Sequence, residues 1–452
     1  MRIIETLCDS GRCNLECIEA CQSVYGYESP LRIEEGSKYP VIVGSCTNCL
    51  RCVRACPFSA IATDMPIEKT EVVVKCDTPS GEYTPPYEVS DDYEYYSEAN
   101  MIFARVRNDP SFQYYGKDEW SGGPEMIARG IPGYSYYEHE MAQAGWKLYD
   151  ERVSVSGPLR QDAEKQPRSD SGRQANPNVL TQFVKNAARF FGANLVGIAP
   201  VDRRWIYSAD RHGEPYEIPE SFNRAIVMAI EMDYEGISTS PSFPSSVSTA
   251  VGYSKMAFIE IELSAYIRKL GFRAIPCGND ISLSVPLAID AGLGMYGRHG
   301  LLITKKFGPR VRIAKILTDM PLLADKLDYG FCKAVTQFCE TCEKCSDHCP
   351  SKSIPYGKEQ TWNGPTRSNN PGVKKWYVNP ETCYGFWTEN GSDCSNCIRS
   401  CPYNKKDGFL HRSVLWVVRH LPWLNRLVLF FDNLMGYGTQ ESSKLVWTKF
   451  RN

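Results

Sequence analysis

No apolar run in this sequence of 452 residues reaches the ~18 residues that a membrane-spanning helix requires. The nearest approach, at 413–435, is broken by charged residues, a histidine and a proline: Arg419, His420, Pro422, Arg426 and Asp432. We therefore expect no transmembrane anchor. The pattern instead predicts an amphipathic helical tail over 409–452, which either packs on its own domain or rests on a partner or a bilayer surface.

The sequence also lacks an export signal and an excess of either charge. Residues 1–20 contain no uninterrupted apolar stretch with a small-residue cleavage site, and no paired arginines precede an apolar segment. These absences predict a cytoplasmic protein. The 51 basic and 53 acidic residues give a net charge of −2, so we expect no field that attracts nucleic acid.

Cysteine, in contrast, is abundant. Of the 19 cysteines, 18 form two dense groups, one before residue 80 and one after residue 330, and only Cys277 lies between them. Without an oxidising compartment, closely spaced cysteines indicate metal ligands rather than disulfides. Zinc is the alternative metal, but a structural zinc site takes four ligands, usually as two pairs. Two Cys-Pro endings within the later group favour iron–sulfur clusters instead.

The later group contains two runs of the type found in bacterial ferredoxins. The first has the spacing C-x2-C-x2-C-x3-C-P and comprises Cys339, Cys342, Cys345 and Cys349. The second has ten residues in its first interval and comprises Cys383, Cys394, Cys397 and Cys401. Since the fourth cysteine of each run reaches the other cluster, Cys401 should complete the first 4Fe–4S cluster and Cys349 the second. This predicts a two-cluster ferredoxin module over 331–408.

The earlier group repeats this arrangement less regularly, and it predicts an N-terminal two-cluster ferredoxin domain over 1–80. Its regular run comprises Cys46, Cys49, Cys52 and Cys56. The irregular partner run comprises Cys8, Cys13, Cys17 and Cys21. By the same exchange of fourth ligands, Cys21 should complete the cluster of the regular run, and Cys56 that of the irregular run. The chain would then hold four 4Fe–4S clusters. A three-iron cluster or a vacant site stays open for the irregular set. Three further cysteines are interpreted as buried thiols: Cys76, Cys277 and Cys332.

The middle of the chain has an α/β or α+β pattern. Residues 81–178 are interpreted as a linker and cap region. A helix is predicted over 180–191 with Gly192 as its stop, strands at 195–199 and 225–230, and a second helical stripe from Met256 to Leu270. We therefore predict an α/β domain over 179–330, between the two cysteine modules.

Several segments of this domain occur in a distinctive order that leads into the later cysteine module. They are Val251-Gly-Tyr-Ser-Lys-Met256, the segment 275–286, Ala291-Gly-Leu-Gly294 and Phe307-Gly-Pro-Arg-Val-Arg312. Over roughly 100–440, this series resembles the corrinoid-dependent reductive dehalogenases. The Ala-Gly-Leu-Gly segment and the module are also similar, more distantly, to epoxyqueuosine reductases. The chain differs from the respiratory dehalogenases by its N-terminal ferredoxin domain and by the missing export signal.

The resemblance implies a nitroreductase-like corrinoid-binding core that reductively cleaves a carbon–halogen bond of a small organohalide. It implies Tyr253 as the proton donor, assisted by Arg312, with Asn279 close by. A phenol has an unperturbed pKa of about 10, and a fixed cation beside it stabilises the phenolate that remains after proton transfer. Arg310, two residues earlier and predicted on the same strand face, is the fallback for Arg312.

The resemblance further implies a corrinoid in the base-off form, with no axial ligand from the protein. Its predicted contacts are Gly278, Ser282, Ser284, Pro286, Gly292 and Gly294. A ferredoxin, flavodoxin or reductase would be the external low-potential electron donor. Two other functions stay open, a tRNA-modifying epoxyqueuosine reductase and a multi-cluster electron carrier. The charge balance disfavours the first, and the set of Tyr253, Asn279 and Arg312 disfavours the second.

Overall fold

The structure is a computed structural model. It describes residues 2–4, 7–8, 12–26, 29–34, 36–43, 46, 49, 51–58, 60–62, 84–152 and 176–449. The chain divides into two compact units, Met1–Glu82 and Tyr83–Asn452. The predicted buried thiol Cys76 and much of the predicted linker, including 153–175, lie outside the described residues.

The first unit is small and has little aliphatic core. Two helices, α1 (Glu16–Tyr25) and α2 (Arg51–Ala55), accompany two short antiparallel strand pairs. Strand β1 (Arg2–Ile3) pairs with β4 (Ile61–Ala62), and β2 (Leu31–Arg32) with β3 (Val41–Ile42). The buried residues of its core are Cys17, Cys21, Leu31, Cys52 and Ile61. Three of these five buried residues are cysteines, so cluster ligands form much of the core in the described part of this unit.

The second unit is built on a four-stranded sheet in the order β5-β6-β10-β7. The strands are β5 (Leu195–Pro200), β6 (Arg224–Glu231), β7 (Ala274–Pro276) and β10 (Val311–Thr318). Every pair is antiparallel, with Arg312 opposite Ile230. Residues 225–230 are all buried, so both faces of the central strand are covered and its sequence shows no alternation.

Two long helices flank the sheet. Helix α7 (Pro177–Phe190) begins at the cap Asn176, and Gly192 follows it with a φ of 112°. Helix α9 (Phe243–Lys269) has 27 residues and so is about 40 Å long. It begins well before the apolar stripe that starts at Met256, which places Tyr253 in its middle. Its first turns are buried all round and rich in small polar residues: Ser245, Ser246, Ser248 and Thr249.

The segment between β7 and β10 carries all six predicted corrinoid contacts. It contains α10 (Ser284–Asp290) and a short hairpin of β8 (Met295–Tyr296) and β9 (Leu302–Ile303). Gly294 lies so close to β9 that a Cβ atom there would be 2.1 Å from the Ile303 carbonyl oxygen. Gly292 has a φ of 73°, which favours glycine directly after a helix.

The remaining helices precede the sheet or follow it. Before it come α3 (Ile102–Asn108), α4 (Gly123–Ala128), α5 (Tyr136–Gly145) and α6 (147–152). A short helix α8 (Tyr234–Ser238) precedes α9. After the sheet come α11 (Tyr329–Thr341), α12 (Lys344–Asp347), α13 (Pro380–Asn390), α14 (Asn396–Arg399), α15 (Phe409–His420), α16 (Asn425–Leu434) and α17 (Ser443–Thr448).

Among the described residues, no single helix is both long and apolar enough to cross a membrane. The stretches Phe409–His420 and Pro422–Leu434 reach that length and composition only as a pair, which is bent by 113°.

Candidate active site

The structure brings together Tyr253 and Asn279, which are far apart in the sequence. Tyr253 projects from the middle of α9, and Asn279 lies in the segment after β7. The side-chain amide of Asn279 donates a hydrogen bond of 2.9 Å to the phenol oxygen of Tyr253. Since the phenol oxygen accepts this bond, its own proton is directed elsewhere and is available to a third group.

Arg312 reaches the same tyrosine from β10. Its guanidinium carbon lies 4.7 Å from the centroid of the Tyr253 ring, within cation–π distance. One Nη atom donates to the Thr249 hydroxyl at 3.2 Å, and the buried Nε has no partner among the described residues. The cation therefore lies over the ring and keeps one unsatisfied buried donor beside it.

Arg310, predicted as the fallback, lies elsewhere. It precedes β10 instead of sharing a strand face with Arg312. Its guanidinium donates to Glu231 and to the Met232 carbonyl, each at 2.6 Å, and to the Asn404 side chain at 2.9 Å. Because these acceptors satisfy a fully buried cation, Arg310 has a structural role and the fallback is wrong.

Two aromatic residues that the sequence analysis did not select also contact Tyr253. Trp146 stacks on its ring at 4.7 Å between centroids and 28° between planes, and Tyr149 packs at 4.9 Å. They lie three residues apart, at the end of α5 and in α6, which places them on one helical face. That spacing identifies a shared face in the sequence, but not the partner that it packs against. Together they cover part of the ring, and Tyr253 is half-buried.

The segment that carries Asn279 is held by a buried lysine. Lys315 Nζ donates to the carbonyls of Gly278 and Ser282, each at 2.8 Å, and to the Ser284 hydroxyl at 2.7 Å. Burial lowers the pKa of Lys315, although nearby acidic groups oppose this effect. From the other side, the Glu260 carboxylate accepts a bond of 2.7 Å from the Gly278 backbone N–H. Charged groups on both sides thus fix the backbone around Asn279.

The six predicted corrinoid contacts fall into two sets. Gly278, Ser282 and Ser284 lie in the segment fixed by Lys315, beside Asn279. The other three belong to α10 and the turn after it, and their packing accounts for their residue types: Pro286, Gly292 and Gly294.

Several buried polar groups in the described part of the chain fit a ligand rimmed by amides, as a corrinoid is. Several buried side-chain oxygens in the described part of the chain have no hydrogen-bond partner. They lie in the first turns of α9, in the segment after β7 and around α14: Ser245, Ser282, Ser395, Asn396 and Ser400. Since buried polar atoms in proteins are normally paired, a polar ligand is the expected partner.

The later cysteines are grouped as the crossing requires. Burial raises the pKa of Cys401 well above the ordinary thiol value, and neighbouring charge on Cys339, Cys342 and Cys345 raises it further. These four thiols line one cavity, together with Arg298, His299 and Tyr403. Thiols that ionise with such difficulty need a bound cation to stabilise their thiolates, which iron supplies.

The other four later cysteines form a second group. Burial raises the pKa of Cys397 well above its ordinary value, and Cys394, Cys383 and Cys349 add to the effect. Cys349 therefore lies with the second run, as Cys401 lies with the first. Two thiols outside the cluster groups, Cys277 and Cys332, are buried next to the backbone carbonyls of Ile275 and Gly294.

The N-terminal cysteines show the same crossing. Burial raises the pKa of Cys17 to about 11, and its thiol neighbours are Cys56 and Cys13. Burial also raises the pKa of Cys52, whose thiol neighbours are Cys21, Cys46 and Cys49. Cys8 is half-buried in the described part of this unit, after β1.

The second group of later cysteines lies against the start of α9. The Ser246 hydroxyl donates to the Asp393 carboxylate, and the Ser395 backbone N–H donates to the Ser240 hydroxyl at 2.8 Å. Tyr253 follows Ser246 by two turns, about 10 Å along the helix axis. The segment that carries the cysteines at 394 and 397 thus lies against the start of the helix that carries Tyr253, which suits electron delivery.

Comparisons with known proteins identify both cysteine modules. Residues 338–405 match the family described as 4Fe-4S dicluster domain, and residues 39–62 match the 4Fe-4S binding domain. Both modules are therefore 4Fe–4S ferredoxin-type domains.

Solved structures share the fold. A reductive dehalogenase whose structure suggested a mechanism for B12-dependent dehalogenation aligns with a TM-score of 0.66 at 22% identity, over 79% of this chain and 49% of that one. A catabolic reductive dehalogenase in complex with 3-bromo-4-hydroxybenzoic acid aligns with a TM-score of 0.64 at 22% identity, over 78% and 48%. The mixed helix and strand architecture is thus the reductive dehalogenase fold.

Sequence relatives are more similar. A tetrachloroethene reductive dehalogenase of Desulfitobacterium hafniense is 40% identical over 72% of this chain, and the chain spans 65% of that relative's length. The tetrachloroethene reductive dehalogenase of Sulfurospirillum multivorans is 32% identical over 80% of this chain and 83% of its own length. An epoxyqueuosine reductase of Pseudomonas aeruginosa is 26% identical over 42% of this chain. The chain belongs to the reductive dehalogenase family.

Proposed function

We propose that the chain is a corrinoid- and iron–sulfur-dependent reductive dehalogenase. The reaction is R–X + 2 e⁻ + H⁺ → R–H + X⁻, where X is the halogen of a small organohalide. A bound corrinoid supplies the low-potential electrons that break the carbon–halogen bond. The observation that carries the proposal is the contact of Tyr253 with Asn279 and Arg312.

Under this proposal, Tyr253 is the proton donor. Its O–H bond breaks as the new C–H bond forms, and the phenol oxygen keeps the electron pair. Asn279 already donates to that oxygen, and the Arg312 guanidinium lies over the ring. Donors and cations that face developing negative charge stabilise the transition state without reorganisation.

The aromatic residues that pack on Tyr253 also affect the proton transfer. Trp146 and Tyr149 occupy the space against the Tyr253 ring that water would otherwise fill. Over the covered part of the ring the local dielectric is lower than in water, which strengthens the electrostatic contribution of Arg312.

The residues that would hold the corrinoid are those of the 278–286 segment, with Gly292 and Gly294 after it. The segment offers the unpartnered Ser282 hydroxyl and a backbone fixed by Lys315. We propose the base-off form, in which the protein supplies no axial ligand.

We propose four 4Fe–4S clusters as the electron path. One is held by Cys339, Cys342, Cys345 and Cys401, and the next by Cys349, Cys383, Cys394 and Cys397. In the N-terminal unit, one is held by Cys21, Cys46, Cys49 and Cys52, and the other by Cys8, Cys13, Cys17 and Cys56. A ferredoxin, flavodoxin or reductase supplies single electrons at low potential. The second later cluster would be the last before the active site, because its cysteines lie against α9.

The test uses protein that is prepared without oxygen and reconstituted with iron, sulfide and a corrinoid. We expect about sixteen iron atoms and about one cobalt per chain. With a chemical low-potential reductant, it should release halide from chlorinated ethenes such as tetrachloroethene, or from bromophenols. Those substrate classes are taken from the names of the relatives and the solved neighbour.

Tyr253→Phe should then lower the rate by at least about a hundredfold, because the ring stays and only the proton-donating hydroxyl is removed. Its iron and cobalt contents should equal those of the wild type. Tyr266→Phe, on the same helix, is the matched control and should keep full activity. Full activity in Tyr253→Phe would refute the proton donor, and iron without cobalt would refute the dehalogenase assignment.

A further inference from the structure

Helix α16 presents an apolar stripe to solvent. Leu427, Phe430, Phe431 and Leu434 follow the i, i+3, i+4, i+7 spacing of one helical face. Their exposed fractions are 48%, 58%, 46% and 67%. In a soluble domain such a stripe normally faces the core, so its exposure here indicates an interaction surface.

The neighbouring helix and the bend extend this stripe into a continuous surface. Trp416 on α15 is 56% exposed, Trp423 at the bend is 76% exposed, and Phe409 at the start of α15 is 83% exposed. The opposite face of α15 packs on the domain, where His411 and Val418 are buried. We call these residues and the stripe of α16 the tail surface.

The exposed charges within 409–434 have one sign. Arg412 and Arg426 are exposed on its two helices. The only acidic residue in 409–434 is Asp432, which is buried and forms ion pairs with Lys344 at 2.5 Å and Lys405 at 2.8 Å. The free charges among these described residues are therefore positive, and they accompany tryptophans, as in helices that bind at a lipid interface.

An apolar cleft opens between the two helices. It measures about 580 Å³ and is lined by side chains such as Val414, Leu415, Val428 and Met435. The 113° bend at Leu421 and Pro422 prevents the pair from crossing a bilayer as one rod, yet both helices expose apolar side chains. This geometry suits helices that lie in the interface and admit acyl chains between them.

We propose that the tail surface docks on a bilayer that contains anionic lipids. A second copy of the chain fits less well, because a two-fold interface places Arg412 and Arg426 of both copies on one patch without acidic partners. Anionic headgroups supply those partners, and the acyl region accepts the exposed stripe. The proposal is independent of the dehalogenase chemistry, since no residue of the tail surface lies at the Tyr253 site.

The test is sedimentation of the cofactor-loaded full chain with vesicles. One set consists of phosphatidylcholine, and the other contains about a third phosphatidylglycerol. We expect binding to the anionic vesicles that weakens as salt is raised. The double variant Trp423→Ser/Phe430→Ser should lower the constant for binding to the anionic vesicles at least about tenfold. Phe190→Ser, on α7 and 89% exposed, is the matched control and should bind as the wild type does.

A charge variant separates the two contributions. Arg412→Glu/Arg426→Glu should remove the preference for anionic vesicles, with iron content and rate of halide release unchanged. The proposal is overturned if wild type stays in solution with both vesicle types, or if the double variant binds like the wild type. A dimer that dissociates in the double variant, without vesicle binding, would assign the surface to a second copy. If the chain bound a protein partner through these residues but neither vesicle type, the tail surface would belong to that partner.

Discussion

The side-chain amide of Asn279 donates to the phenol oxygen of Tyr253 across 2.9 Å. This hydrogen bond joins the middle of α9 to the segment between β7 and α10, two elements that meet only in the folded chain. It defines which proton can leave: the bond leaves the tyrosine O–H free, and the same donor remains in place to stabilise the phenolate. Under the proposed mechanism, Asn279 therefore serves the proton-transfer step rather than substrate binding.

Asn279→Leu should therefore lower kcat by roughly ten- to a hundredfold, with a smaller effect on KM. Leucine has a similar volume but removes the donor that stabilises the phenolate. Steady-state halide release measures both constants. Asn186→Leu, on the exposed face of α7, is the control and should leave both constants unchanged. A change in KM alone would show that Asn279 binds substrate instead.

Lys315→Met should loosen the segment around Asn279. The change removes donors to the Gly278 and Ser282 carbonyls, and each buried acceptor left unpaired costs about 1–3 kcal/mol. We expect a lower Tm and a lower cobalt-to-iron ratio, because the clusters lie on other elements. Metal analysis of the reconstituted variant measures that ratio. Lys326→Met, at an exposed position, should change neither quantity. An unchanged ratio would remove this segment from the corrinoid site.

Local patterns in the sequence predicted part of this architecture. The cysteine spacings identified both ferredoxin modules, because cluster ligation requires closely spaced thiolates in a fixed order. Periodicity predicted α7 with its stop at Gly192, and the strands β5 and β6. The start of α9 was missed, because 243–252 is buried on nearly all sides and therefore has no amphipathic stripe.

Contacts between distant segments were the part that sequence patterns did not reveal. Trp146 and Tyr149 cover Tyr253 although about a hundred residues separate them, and nothing local marks that partnership. Arg310 and Arg312 look equivalent in sequence. They differ because β10 begins at Val311: Arg310, before the strand, pairs with Glu231, whereas Arg312, within it, lies over Tyr253.

The environment of Lys375 predicts that the free energy of unfolding depends on pH. Burial lowers the pKa of Lys375 from 10.5 to about 8. Between those values the unfolded chain binds a proton that the folded chain does not, so stability rises with pH there. Below pH 8 Lys375 is charged in both the folded and the unfolded chain. Its charge then lowers the free energy of unfolding by an amount that does not change with pH. We place that amount at about 1 kcal/mol, since the side chain is only half-buried and the rings of Tyr296 and Tyr377 attract the cation.

Lys375→Met should accordingly raise Tm by roughly 2–3 °C at neutral pH, and this gain should disappear as the pH approaches 10.5. Anaerobic thermal unfolding at several pH values measures the difference. Lys374→Met is the matched control, because that lysine forms an exposed ion pair with Glu88. Its effect should not vary with pH in this window. A gain in Lys375→Met that persists at high pH would show that methionine simply packs better.

The crossing of the later cysteines predicts which substitutions are redundant. Cys401 lies with Cys339, and Cys349 lies with Cys383, although each belongs to the other run in sequence. Cys339→Ser/Cys401→Ser should therefore lose about four irons, as either single change does, because both thiols serve one cluster. Cys349→Ser/Cys401→Ser should lose about eight, because these thiols serve two clusters.

Iron analysis and low-temperature electron paramagnetic resonance of the reduced protein distinguish these patterns. Cys277→Ser is the control, since that buried thiol lies apart from both groups and should leave iron unchanged. If ligation followed the sequence runs instead, the result would reverse: Cys339→Ser/Cys401→Ser would remove both clusters, while Cys339→Ser/Cys349→Ser would remove one. Serine ligation that retains a cluster would still shift its signal, so a double variant on one cluster changes one signal and a double variant on two changes both.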